Sequence, residues 1–497
     1  MRRNASYVFL GNFASKGLGL GREILTAALF GTGALVAAFR IGLAGTLIPI
    51  NFLTSDALNS VYIPLHKHFA RRSENGARLF VWTSGAAFLA VALTIGTILW
   101  MGASIWVHVL APGLKPAVLA VAGSVLRILS IGVPLYLLSA FLVFVGMAND
   151  DFLPMSVRAS VQNVGLIVGI AAAYLFSSPD LFAWAFTLSY LAFFFWALHR
   201  EFTAGLLRFP SAIDAHTVRP VLVRFWRTLR PLLLLPVFLQ GNIVVERMVA
   251  SFISVSCVSA LDYARFVSES MLAMIAVPVS YAGLTEWSGL SLRDMRERLS
   301  KVIAFSLVVG IPISAFFLAN ASLAVKILYA RGAFTERSVQ VTAHILSGIS
   351  YGLWAQVLGY ILMKALSAQR QNGKVLYIMA ASLFCNALFD ILLYRNFGAW
   401  TLGLGNSLYG IGMLTGTLTA LKLWPAFIRE GSSLLIGGAG YCALMAIYPS
   451  HAHTIWGHAV EVGLFTMAFW AAWILAQGNL RRFVLQTLFG FGGRGKG

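Results

Sequence analysis

Acidic side chains are scarce: 18 Asp and Glu stand against 37 Lys and Arg in 497 residues, and charged residues of both signs make up only 11%. A soluble domain carries about a quarter. A chain this poor in charge cannot hide its apolar surface from water. At 59% hydrophobic and mean hydropathy +0.79, it needs lipid as its solvent. Cysteine is almost missing too. Cys257, Cys385 and Cys442 lie far apart in apolar stretches and form no CxxC pair, so no disulfide framework is expected. They read as small buried hydrophobes.

Other absences exclude whole classes of function. Long alternating strand patterns are missing, which argues against a β-barrel. No Walker A, HExxH or GxSxG sequence occurs, so ATP hydrolysis and peptidase chemistry have no support. Gly17-Leu18-Gly19-Leu20-Gly21 superficially resembles a dinucleotide loop, but no strand precedes it and it lies inside an apolar run. His451, His453 and His458 have no acidic or Cys partner close by, so no metal is expected there. Asp150 and Asp151 are the only adjacent acidic pair, and they read as a solvated helix end. No catalytic residue, cofactor or enzymatic activity is therefore assigned. The basic start Met1-Arg2-Arg3 precedes an apolar stretch broken by Lys16 and Arg22, without a small-x-small cleavage site. The first helix is expected to be retained.

What the chain has is long apolar runs. A bilayer core about 30 Å thick needs about 20 residues per helix. Spans are predicted near 6–31, 35–63, 78–107, 118–147, 153–176, 181–199, 228–253, 257–285, 302–327, 338–367, 374–394, 399–421, 432–449 and 454–477. The fold class is an all-α polytopic membrane protein of about fourteen transmembrane helices. Pro49, Pro134, Pro278 and Pro312 are kink candidates inside them.

The excess of positive charge is distributed unevenly. With the N-terminus on the cytoplasmic side, 24 Lys and Arg fall in cytoplasmic segments, five (Lys115, Lys326, Arg331, Arg337, Arg395) fall opposite, and eight fall within spans, which accounts for all 37. Cytoplasmic loops collect Lys and Arg. The expectation is a multi-pass inner-membrane protein with both termini cytoplasmic. Basic residues in short loops between spans also exclude nucleic-acid binding, which needs a basic face on a soluble domain.

An internal repeat organises the chain. ASIWVHVL at 103–110 matches ASLAVKIL at 321–328, LRILSIGVPL at 126–135 matches HILSGISYGL at 344–353, and SVQNVGLI at 160–167 falls against LFCNALFD at 383–390. Two parallel six-helix lobes are predicted, at 1–205 and 206–425, with two additional helices and a basic tail at 426–497. Parallel repeats of this kind place a site between the halves near the midplane.

The eight basic residues within spans are Lys16, Arg22, Arg40, Arg127, Arg158, Arg247, Arg265 and Lys364; the acidic ones are Glu23, Asp56, Glu246, Asp262, Glu269, Asp390 and Glu461. A charge at the bilayer centre costs from about 2.5 to over 10 kcal/mol, so each must face a cavity or a partner. Arg40, Arg127, Arg158 and Glu461 read as buried pairs or snorkelling ends. Lys16 and Arg22 differ, because Gly17, Gly19 and Gly21 between them leave room beside the helix. Their separation of six residues turns them roughly 120° apart, which a wide cavity can serve. Cations in a wet cavity suit a phosphate-bearing substrate, and Arg offers a bidentate fork. Arg265 would serve the same cavity from the second half.

Four stretches resemble the MviN/MurJ family, the lipid II flippases of the multidrug/oligosaccharidyl-lipid/polysaccharide exporter superfamily. They are GLGLGREILTAALFGTGALVAAF at 17–39, SVYIPLHKHF at 60–69, YARFVSE at 263–269 and LYARGAFTERS at 328–338; the hairpin Arg331-Gly332-Ala333-Phe334-Thr335 is the most specific. The resemblance implies two six-span lobes around a central cavity and a lipid-facing groove formed by the last two spans. It implies a flippase that moves an undecaprenyl-pyrophosphate-linked peptidoglycan precursor, lipid II, to the periplasmic leaflet by alternating access. A flippase for another polyprenyl-linked oligosaccharide is the alternative, and a drug exporter fits the excess of cations less well. Carried over residue by residue, the substrate-binding set is Lys16, where the family usually has Arg, with Arg22, Arg265, Glu23 and Asp56. Ala37 and Ile50 stand where the family carries charge, and Ser55-Asp56 replaces its Glu-Gly. The implied partners are the lipid-linked glycan, membrane lipid and a coupling ion, with the chain acting as a monomer.

Overall fold

The structure is a computed structural model. It describes residues 2–54, 56–211, 215–448, 454–478 and 480–481; the side chains of 2–10, 12, 56–57, 215–217, 231, 285 and 292 lie outside the described set. Among the described residues there is no strand, and each of the fourteen expected spans falls on helix.

The contacts divide the chain into two compact units. The first comprises residues 1–263 and 329–338. It holds α1 (Arg2–Phe30), α2 (Ala34–Leu53), α3 (Asp56–Arg72), α4 (Glu74–Met101), α5 (Ala103–Leu110), α6 (Pro116–Ala148), α7 (Leu153–Leu175) and α8 (Asp180–Thr203). It continues with α9 (Ala215–Leu229), a 3₁₀ turn, α10 (Leu234–Ile253) and the start of α11 (Val255–Trp287). The second unit, 264–328 and 339–497, holds the rest of α11, most of α12 (Leu292–Tyr329) and α13 (Glu336–Ser350), then α14 (Leu353–Ala368) and α15 (Asn372–Phe397). α16 (Ala399–Leu421), α17 (Trp424–Ile447) and α18 (Ile455–Ala476) complete it.

Among the described residues, ten helical stretches are long and apolar enough to cross a membrane, or twelve if two bent pairs each count as one span. α1 and α16 make up the remaining two of the fourteen. α1 carries Lys16, Arg22 and Glu23, and α16 is rich in Gly and Thr, so both are less apolar than a lipid-facing helix. Several spans expected as single runs are broken. The second breaks at Thr54, the third at Gly102, and the tenth bends by 49° between Ser350 and Leu353. The last break has a packing cause. The backbone N–H of Gly352 donates to Ser407 Oγ at 2.7 Å, and a Cβ at Gly352 would come within 2.5 Å of Ser407. Small residues let α14 and α16 approach backbone to backbone, as membrane helices do where burial of apolar surface supplies no drive.

α12 departs from helical geometry at Asn320 (φ −121°, ψ 27°) rather than at Pro312. The Asn320 amide donates to Phe316 O at 3.2 Å and to the Tyr441 hydroxyl at 3.1 Å. A side chain that takes up a carbonyl four residues back competes with the helical ladder and bends it.

Candidate functional site

The first unit concentrates charge where α1, α2, α10 and α11 converge. The reason lies in five mid-span ionisable residues, each of which must find a partner in a medium that offers no water. Glu23 on α1 is buried and takes two guanidiniums. Arg22 donates through Nε to Glu23 Oε1 at 3.1 Å, and Arg40 on α2 donates through Nη1 to the same oxygen at 3.2 Å while its Nη2 pairs with Oε2. Asp262 on α11 repeats the arrangement. Arg247 on α10 grips it bidentately, with Nη1 to Oδ2 at 3.0 Å and Nη2 paired with Oδ1, and Arg40 Nε stands 3.3 Å from Oδ2. The order along this ladder is Arg22, Glu23, Arg40, Asp262, Arg247. Arg40 is its middle rung and lies over the Tyr263 ring at 5.3 Å.

Arg22 is the rung with freedom to do more. Its side chain is 19% exposed, against 2% for Glu23, and its Nη1 donates to Asn163 Oδ1 at 2.9 Å. Asn163 in turn donates to the Ser15 carbonyl at 3.0 Å, which ties α7 to α1. Lys16 is exposed on α1. A Cβ built on Gly17 or Gly21 meets nothing within 4 Å. Those glycines therefore leave open space along α1 rather than admitting a neighbouring helix, as expected for a helix approached by something outside the fold. The cavity beside Arg22 and Arg40 is only about 20 Å³. That is room for about one water and far too little for a pyrophosphate. In this conformation the ladder is closed.

Just beyond, the hairpin at 331–335 clamps the end of α1. Gly31 (φ +57°) ends α1, and Gly332 (φ +58°) turns the hairpin. The Ala333 N–H donates to Ala28 O at 2.7 Å. A Cβ on Gly31 would lie 2.3 Å from Ala333 O, and one on Gly332 would lie 2.2 Å from Ala28 O. Tyr263 donates its hydroxyl to Gly31 O at 3.0 Å, Tyr329 donates to Tyr263 O at 3.3 Å, and Phe334 is buried edge-on to Tyr263. Thr32 and Ser338 share a hydrogen bond of 2.8 Å. The sequence Arg-Gly-Ala-Phe-Thr is thus a docking element, with glycine for backbone approach and phenylalanine as the plug.

A model of the lipid II flippase MurJ matches residues 26–470. The chain belongs to the lipid II flippase MurJ family. A probable lipid II flippase MurJ of Synechocystis sp. is 25% identical over 462 residues, covering 87% of this chain and 83% of that protein. Its counterpart in Thermotoga maritima is 24% identical over 424 residues, covering 85% of each. A solved lipid II flippase MurJ in an inward closed conformation superposes with TM-score 0.80 at 19% identity, over 93% of this chain and 97% of the other. An inward-facing multidrug resistance MATE transporter of the MOP superfamily follows at TM-score 0.68 and 14% identity, covering 85% and 96%. These likenesses establish the fold; the family itself is one of transporters of a lipid-linked substrate.

Of the expected site residues, the structure brings Arg22 and Glu23 together, leaves Lys16 exposed and places Arg265 half-buried on the part of α11 in the second unit. The Asp56 side chain lies outside the described residues. Ala37 and Ile50 are both fully buried, and Ile50 packs in an apolar cluster with Phe39, Leu129 and Val133. Arg127 and Arg158, read as structural, have structural partners: Arg127 donates to Ser104 Oγ at 2.9 Å and Arg158 lies 4.4 Å over the Tyr136 ring. The sequence reads Arg40 as a buried pair and counts Asp262 and Arg247 among the charges inside spans, but nothing in the spacing names the partners that join the three.

Proposed function

We propose that the chain moves lipid II, an undecaprenyl-pyrophosphate-linked peptidoglycan precursor, from the cytoplasmic to the periplasmic leaflet by alternating access. The lobes 1–205 and 206–425 are the moving bodies in this reading, and 426–497 adds lipid-facing helices and a basic tail. Both termini are cytoplasmic, the working unit is one chain, and a coupling ion sets the direction of transport. The observation that carries the proposal is Arg22: a half-buried guanidinium held by one carboxylate and one amide, beside open space on a glycine-rich helix.

A pyrophosphate brings about two negative charges into a medium where an uncompensated charge is very costly. It can take the place of Glu23 on the Arg22 fork, since both present oxygens to the same donors. Lys16 adds a second cation along α1, and Arg265 on α11 is the third cation of the proposed set. Glu23 then holds Arg40 alone, and Asp56 completes the proposed set. A different polyprenyl-linked oligosaccharide is the second reading. It is favoured by the burial of Ala37 and Ile50 among apolar neighbours where the family is charged.

Purified protein should bind a polyprenyl-pyrophosphate sugar more tightly than the same lipid without its pyrophosphate. The preference should shrink in Arg22→Ala and in Arg265→Ala. Equal affinity for the two lipids would overturn the proposal. Depletion in the host, with identification of the lipid-linked intermediate that accumulates, separates the two glycan readings.

A further inference from the structure

The segment between α8 and α10 has a construction that substrate transport does not use. α9 runs into α10 through the 3₁₀ turn Arg230–Leu232 at a bend of 60°. At about 100° per residue, its side chains sort into three sectors. Val221, Phe225 and Leu229 fall on one sector and pack with Leu58, Val61 and Phe80 of α3 and α4. Leu222 and Trp226 fall on the next and are exposed, Trp226 by 56%. Arg219, Arg227 and Arg224 follow round the remaining side, all exposed.

The surroundings continue the pattern. Trp82 donates its indole N–H to Arg208 O at 3.1 Å and stacks on Phe209 at 4.1 Å, and Phe209 and Phe202 are about 70% exposed. Arg71 and Arg72, exposed at the end of α3, extend the basic side, and Arg224 lies 2.9 Å from His68 of the same helix. From 202 to 230 the sequence has five arginines and one carboxylate, Asp214, which lies outside the described residues.

We propose that α9 lies in the membrane–water boundary and binds the headgroups of anionic phospholipid. An exposed Leu–Trp flank beside an arginine flank is what an interfacial helix presents: the apolar side sits at the acyl boundary and the guanidiniums at headgroup level. Trp82 and the neighbouring phenylalanines are the aromatic anchors found at that depth. The occupant is lipid because the helix runs directly into α10, so the bilayer is continuous with this surface. It is anionic lipid because arginines outnumber carboxylates here, and the exposed carboxylates nearest the α3 end, Glu74 and Asp150, are paired with Arg78 and Lys67. The topology proposed from the basic loops puts this surface on the cytoplasmic leaflet.

The test uses the full-length chain with Cys257, Cys385 and Cys442 replaced by Ser and a fluorophore attached through Val223→Cys. The protein is reconstituted in phosphatidylcholine containing a small amount of spin-labelled phosphatidylglycerol or, in parallel, spin-labelled phosphatidylcholine. The expected result is quenching by both lipids, stronger with phosphatidylglycerol. Replacing Arg219, Arg224 and Arg227 by Gln keeps helix-forming side chains, so quenching by phosphatidylcholine persists while the preference falls by roughly fivefold for each arginine removed. Added salt should weaken the preference in the parent protein. Equal quenching by the two lipids would remove the anionic preference and overturn the proposal. Quenching by aqueous iodide with none from lipid would show a solvated helix. No quenching by either would show a surface covered by protein, and either outcome overturns it.

Discussion

Arg40 and Asp262 stand 3.3 Å apart although 222 positions separate them in the chain. The pair links two shorter contacts: Arg40 also holds Glu23, and Asp262 is also gripped by Arg247. The consequence is a single charged ladder in which Arg40 cannot be lost without leaving both carboxylates a partner short. A ladder with a cavity beside it too small for a headgroup fits a state in which α1 and α2 are locked to α10 and α11. Opening this face for a substrate would mean separating Arg40 from Asp262.

Arg40→Gln should therefore lower stability more than any other single change in the ladder. Removing one partner of a buried ion pair costs about 3–5 kcal/mol, because the carboxylate left behind is uncompensated. The thermal midpoint of the detergent-solubilised protein should fall. The double variant Glu23→Gln/Arg40→Gln should recover part of the loss, since it removes a buried charge along with its partner. A double variant no better than Arg40→Gln would show that Asp262, rather than Glu23, is the partner that matters.

The glycines of the clamp give a second expectation with an internal control. Gly31, Gly332 and Gly398 all have φ near +57°, at 57°, 58° and 55°, but a Cβ on Gly398 meets nothing within 4 Å. Replacement by Ala costs roughly 1–3 kcal/mol for the positive-φ backbone at any of them. At Gly31 and Gly332 a collision with a backbone carbonyl is added. Gly31→Ala and Gly332→Ala should abolish complementation of a depletion strain and lower the thermal midpoint well below that of Gly398→Ala. Equal midpoints for all three would mean that the hairpin is not held against α1.

Much of this is legible in the sequence, for identifiable reasons. The spans were readable because apolar length has few rival explanations. Arg22 and Glu23 were readable because charge inside a span demands an account. The hairpin was recognisable as a motif, but its role in clamping α1 was not, since Ala28 and Ala333 meet only after folding. The Arg40–Asp262 contact was hidden for the same reason: composition says that two mid-span charges need partners, and only packing chooses them. The breaks at Gly102 and Gly352 were missed because hydropathy is blind to a helix that bends without losing apolar character. α9 is not legible as a helix, because its arginines obscure the apolar spacing between them.

The orientation can be tested with thiol labelling in a background lacking the three native cysteines. Ser73, Ser177, Ser291 and Thr335 are all exposed. Cysteines at Ser73 and Ser291 should be protected from an impermeant reagent in intact cells, and cysteines at Ser177 and Thr335 should be labelled. The expectation rests on 24 basic residues against five in the loops. Labelling at Ser73 with the membrane intact would reverse the topology, and with it the leaflet assigned to α9.

The function of Arg22 is open to a sharper experiment than its loss. Its guanidinium is shared between Glu23 and Asn163, so Arg22→Ala removes one of two cations from Glu23 and leaves Arg40 in place. The ladder should survive, and the protein should accumulate in the membrane at close to its usual level. Transport should nevertheless be lost, because the fork that would receive the pyrophosphate is gone. Arg22→Lys should restore part of the activity at most, since a point charge cannot grip two oxygens in a plane. Asn163→Ala provides the contrast. It removes a neutral partner of Arg22 but keeps the cation, so transport should be weakened rather than abolished. The measurement is growth of a depletion strain together with the amount of each variant in the membrane fraction. Full growth with Arg22→Ala would make Arg22 a structural residue of the Glu23 pair. Loss of the protein from the membrane in that variant would say the same. Normal levels with no growth would assign Arg22 to the substrate.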